Sequence, residues 1–126
     1  MKRREMRVRI MKCLYQYILT NKDLDQLFEE NLDMDDRDSI PFIVENTIET
    51  INNIDELRQE IVDNLTETWD FDRLGVIEQA ILLMSAQELK RKETDKAVII
   101  NEAIEIAKLY CDEDAPKLIN GVLDRL

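Results

Sequence analysis

The sequence predicts an all-α fold of about seven helices in one compact domain. Three observations carry this. Apolar residues recur at three- and four-residue steps along nearly the whole chain, the spacing of one helix face. Only two glycines and two prolines interrupt 126 residues, too few turn formers for a many-stranded β fold. Hydrophobic residues make up 44%, enough to fill a core and to argue against global disorder.

The elements follow in order. Met6, Ile10, Leu14, Tyr17 and Ile18 share one face of a first helix over 3–20, with Arg3 and Arg7 as i,i+4 neighbours at its start. "NKDLDQLFEEN" supplies a short second helix with Leu24, Leu27 and Phe28 inward. "DMDDRD" then places four aspartates in six residues. A calcium loop starting at Asp33 needs Gly at its sixth position and Glu at its twelfth, where this chain has Asp38 and Val44. The stretch is therefore a solvated loop.

Ser39 can cap a third helix with Pro41 in its first turn and Ile43, Ile48, Ile51 and Ile54 following. Asp55 can cap a fourth, with Leu57, Ile61 and Leu65 inward. "TWDFD" breaks the periodicity, and Trp69 and Phe71 read as core plugs under a connection. A fifth helix over about 72–91 carries Leu74, Ile77, Ile81, Met84 and Leu89, with apolar residues on further sides, as a central helix requires. Thr94 or Asp95 can cap a sixth helix over about 96–111, where Ile100, Ala103, Ile104 and Ala107 form a core stripe and Asn101 reads as a buried tie. Asp112 or Asp114 can cap a seventh that runs to the end. Leu118, Val122 and Leu126 keep helical spacing across Gly121, which costs about 1 kcal/mol relative to Ala. Gly121 is therefore read as a point where two backbones approach closely.

Composition narrows the function. No histidine is present, which removes the usual general base at neutral pH and the commonest metal ligand. Cys13 and Cys111 stand alone, so no zinc site or Cys–His dyad can be assembled, and no Gly-rich phosphate loop occurs. The expectation is a binding protein, not an enzyme, with no cofactor and no metal. Two isolated thiols fit a reducing cytoplasm, and no apolar run suits a secretory signal or a membrane span.

Charge is unevenly spread. Residues 1–22 carry Lys2, Arg3, Arg4, Arg7, Arg9, Lys12 and Lys22 against Glu5, a balance of +6. The whole chain is −11, which leaves −17 on the remainder. A polyanion would be repelled by most of this surface and drawn to one end.

"RLGVIEQAILLMSAQEL", "VIINEAIEIAKLY" and "DEDAPKLINGVLDRL", in that order and behind the opening "RREMRVRIMKCLYQ", resemble the NusB family of bacterial transcription antitermination proteins. The resemblance spans nearly all of residues 1–126, read as one NusB-like RNA-binding domain, and is strongest over 73–126. It implies a helical fold of two small bundles packed together. It also implies binding of boxA-type single-stranded RNA together with NusE, a small-subunit ribosomal protein, in a larger complex with NusA, NusG and RNA polymerase that supports ribosomal RNA transcription. Family members occur as monomers and dimers, so a homodimer is an open expectation.

By the same resemblance Arg3, Arg4 and Arg7 are RNA-binding, a role suited to a guanidinium that grips phosphate and stacks on bases. Tyr15 falls near the RNA path, where stacking and a half-buried core position are both open. Asp114 and Lys117 match positions that face RNA; a carboxylate can accept hydrogen bonds from base amino groups, and it can also cap a helix. Leu118 stands where the family often carries an aromatic, and Met6 and Ile10 replace small residues. Asp72 and Glu78 are candidates for contact with a basic ribosomal partner. Two other readings remain: the NusB-like RNA-binding domain of a ribosomal RNA cytosine methyltransferase, and an acidic helical adaptor that binds only protein.

Overall fold

In the computed structural model, which describes residues 1–66 and 68–126, the chain forms seven α-helices. They are α1 (Arg3–Thr20), α2 (Leu24–Asn31), α3 (Ile40–Asn52), α4 (Ile54–Asp63), α5 (Val76–Arg91), α6 (Lys96–Tyr110) and α7 (Ala115–Arg125), with a 3-10 turn at Phe71–Arg73. No strand occurs among the described residues.

Two groups of helices share one core. α1 packs on α2 and α3; α5, α6 and α7 pack on one another with α4 against α5; and α5 also packs on α1 and α3. This is the double bundle, with α5 as its common member. Every residue from Gln79 to Glu88 is buried, as a central helix demands. Its buried polar groups are matched: the Gln79 amide donates to the Leu74 carbonyl (2.9 Å), and Gln87 accepts from Asn53 (3.2 Å).

Several local expectations are corrected. α5 begins at Val76, not near Asp72, because Leu74 and Gly75 are extended and separate it from the 3-10 turn. Asn53 holds the N-cap position of α4, which leaves Asp55 in the first turn. Ser39 occupies the N-cap position of α3, yet its side chain makes no capping hydrogen bond. The core face of α3 is Ile43, Asn46, Thr47 and Thr50, with Ile48, Ile51 and Ile54 only partly buried. Thr47 and Thr50 donate to the carbonyls of Ile43 and Asn46 (2.7 and 2.6 Å), and Asn46 to that of Phe42 (2.8 Å). A side chain that satisfies itself on the preceding turn can enter the core, so counting apolar residues misplaced this face.

Phe71 is a core plug, but Trp69 is 45% exposed. Asn101 is exposed as well, so it ties no helices together in the interior. α7 continues through Gly121, and a Cβ built there meets no atom within 4 Å. No backbone approaches this glycine closely.

Candidate nucleic-acid interface

The basic start of α1 is partly spoken for within the molecule. Arg3 lies over the Phe42 ring (4.0 Å to the centroid) and points Nη1 at the Met6 sulfur (3.3 Å). Arg4 donates from Nε and Nη2 to the Glu102 carboxylate (2.7 and 3.2 Å) and stays half open to solvent. This fork raises the Arg4 pKa and holds the Glu102 carboxyl below its usual range, the hydrogen bond being the main cause in both.

Arg7 is placed differently. It is 8% exposed and donates from Nε and Nη2 to the Glu88 oxygens (2.9 and 3.0 Å) inside the protein. It therefore joins α1 to α5 and does not reach the open edge. The sequence held a signal for this. Arg7 shares its face with Ile10, Met11 and Leu14, all buried.

Lys2, Arg9 and Lys12 make no ion pair among the described residues; Lys2 and Lys12 are exposed and Arg9 is half-buried. With Arg4, Glu5 and Glu102 they line a groove between α1 and α6, which Val8, Leu109 and Tyr110 complete. Its lining is net +2 in a protein of −11. Arg9 donates to the Asn31 carbonyl (3.1 Å). Arg4, Val8, Lys12 and Tyr15 run along α1 at steps of four, four and three, so they share a ridge. Tyr15 is exposed at the end of that ridge. Tyr110 lay outside the sequence reading because it exists as a groove wall only once α6 lies beside α1.

The start of α7 makes a second groove. Asp114 stands at the N-cap position without a side-chain capping bond, so its carboxylate is available to a ligand. Asp114, Lys117 and the half-buried Leu118 line this groove together with Trp69, Asn120 and Gly121. Tyr110 of the first groove and Asp114 of the second stand four residues apart across the α6–α7 corner.

Asp72 and Glu78 are not brought into one cluster. Asp72 is exposed and paired with Arg58 of α4. Glu78, in the first turn of α5, folds its carboxylate back over Gly75 and faces the α6–α7 corner. There the Cys111 thiol is pushed up to about 11, by burial first and then by the charges of Glu78 and Asp112. Buried Cys13 is pushed up to about 12, chiefly by desolvation, which suits a core residue. Among the described residues no three His, Cys, Asp or Glu side chains are grouped to hold a metal ion, and no helix is long and apolar enough to cross a membrane.

The model of the NusB family matches residues 4–126. The transcription antitermination protein NusB of Sulfurovum sp. is 40% identical over 98% of this chain and 96% of its own length. That of Exiguobacterium sp. is 42% identical over 100% and 97%. Among solved structures, T. maritima NusB superposes with a TM-score of 0.90 at 34% identity, covering 99% of this chain and 89% of that one. A structure of antitermination factors NusB and NusE in complex with double-stranded RNA gives 0.84 at 26% identity, covering 98% and 93%. With the family matched across nearly every residue and the fold matched as closely, the chain belongs to the NusB family.

Proposed function

We propose that this protein is a transcription antitermination factor. It binds boxA-type single-stranded RNA together with a NusE-type ribosomal protein and joins NusA, NusG and RNA polymerase during ribosomal RNA transcription. One observation carries the reading: a net-positive groove lies along α1 on an otherwise acidic body, with a second net-positive groove at α7. Phosphates are attracted there and repelled elsewhere, so the field orients the RNA before contact. Relatives matched over nearly their full length are named as antitermination proteins, which favours this reading over a methyltransferase domain.

Lys2, Arg4 and Lys12 hold the backbone, with Arg3 and Arg9 beside them. Arg7 acts indirectly, by seating α1 on α5. Tyr15 and the α7 residues Asp114, Lys117 and Leu118 meet the bases. Asp72 and Glu78 offer carboxylates to a basic protein partner. The chemistry is recognition alone; no bond is made or broken.

The test is a titration of labelled single-stranded boxA-like RNA at several salt concentrations, with and without the ribosomal partner and with an RNA duplex as competitor. Each phosphate neutralised on a single strand contributes about −0.7 to the slope of log affinity against log salt. Four or five cations therefore predict a slope of roughly −3. Affinity that does not change with salt, or no binding in either arrangement, would remove the reading.

A further inference from the structure

Trp69 is the only tryptophan in the chain, and the residue is 45% exposed. A side chain of this size buries more apolar area than almost any other when covered, so leaving it open forgoes stabilisation. The Trp69 amide donates to the Thr66 carbonyl (3.0 Å). The ring stands at the wall of the α7 groove.

That groove has the parts a base needs. Gly121 leaves its floor open, with nothing within 4 Å of where a Cβ would stand. Lys117 and Arg125 line it against the single carboxylate of Asp114, for a net charge of +1. Asn120 adds an amide that can both donate to and accept from a base edge. A second groove that Trp69 also lines holds Asp55, Asp70 and Asp72 with Arg58 as its one cation, net −2, which disfavours a phosphate chain there. Charge thus selects the α7 side. Leu118 offers that side no π-face.

We propose that Trp69 is a base-stacking residue: an unpaired RNA base lies on its indole in the α7 groove, between Lys117 and the open helix surface at Gly121. This rests on the RNA-binding reading above and adds a specific contact to it. Stacking on an aromatic tolerates every base, so Trp69 contributes affinity with weak sequence preference, and Asp114 and Asn120 contribute the selection.

The single tryptophan makes the test direct. Labelled single-stranded boxA-like RNA is titrated into the full chain, reading RNA anisotropy and tryptophan fluorescence together, for the native protein, Trp69→Ala and Trp69→Phe. Circular dichroism and the melting temperature check that each variant is folded. RNA should quench the native emission, Trp69→Ala should bind roughly 5- to 100-fold more weakly, and Trp69→Phe should recover most of the loss. The salt slope should not change in either variant, because no cation is removed. If the RNA binds without quenching and Trp69→Ala binds as the native protein does, the stacking role is overturned while RNA binding stands. If the native protein binds no RNA by anisotropy, either alone or with the ribosomal partner, both fall. Quenching by the ribosomal partner alone, with none from RNA, assigns the ring to a protein interface and overturns the proposal.

Discussion

The guanidinium of Arg7 and the carboxylate of Glu88 meet through two hydrogen bonds, with both side chains withdrawn from water. Neither charge is tolerable there without the other. Arg7→Ala should therefore cost about 3–5 kcal/mol, since it leaves an unpaired buried carboxylate. That is a large share of the 5–15 kcal/mol typical of a domain. Arg7→Met combined with Glu88→Leu should recover most of the loss, because the double change removes both desolvation penalties and keeps the volume. Urea denaturation of the three variants measures this. A cost below about 1 kcal/mol for Arg7→Ala would show that the pair does not hold α1 on α5. Arg4 and Arg3 differ from Arg7 in kind. Their partners, Glu102 and the Phe42 ring, leave them at the surface, where a phosphate can compete. Three arginines that look alike in "RREMR" thus divide between structure and binding. Residue type alone does not separate them; the face each occupies on α1 does.

At the scale of elements, α7 is the most amphipathic helix and also the one with a defect. Gly121 sits mid-helix with no close neighbour. Glycine there loses backbone entropy on folding and gains no packing in return. Gly121→Ala should raise stability by about 0.5–1 kcal/mol and the melting temperature by a few degrees, read by thermal unfolding. A fall in melting temperature would mean that the added methyl meets something and that the groove floor is not open. Most helices were legible in the sequence. The span of α1 agrees at both ends, and the central character of α5 followed from apolar residues on more than one side. The core face of α3 was not legible, because Thr47 and Thr50 bury their methyls while their hydroxyls return to the preceding turn. The Trp69 position was not legible either. A tryptophan between helices fits a core plug and a groove wall equally well until α7 is in place beside it.

For the whole molecule, the decisive property is where charge lies once the helices are packed. The +6 balance of residues 1–22 is a sum over sequence, and it counts Arg7, which the fold withdraws. The working edge is smaller and runs along the α1–α6 groove. Lys2→Ala with Lys12→Ala removes two exposed cations that make no ion pair among the described residues. It should leave stability within about 0.5 kcal/mol and flatten the salt slope of RNA binding by about 1.4. Circular dichroism and the salt-dependent titration check the two halves. An unchanged slope would move the binding edge elsewhere. The sequence by itself determined the helical class, the absence of histidine-based chemistry and the basic end, since periodicity and composition are properties of the chain before it folds. Only the tertiary structure decided that Arg7 turns inward while Lys2 and Lys12 stay out, and that Trp69 and Lys117 line one groove. Burial and juxtaposition depend on which faces of distant segments meet, and α1, Trp69 and α7 say nothing of one another until the helices pack around α5.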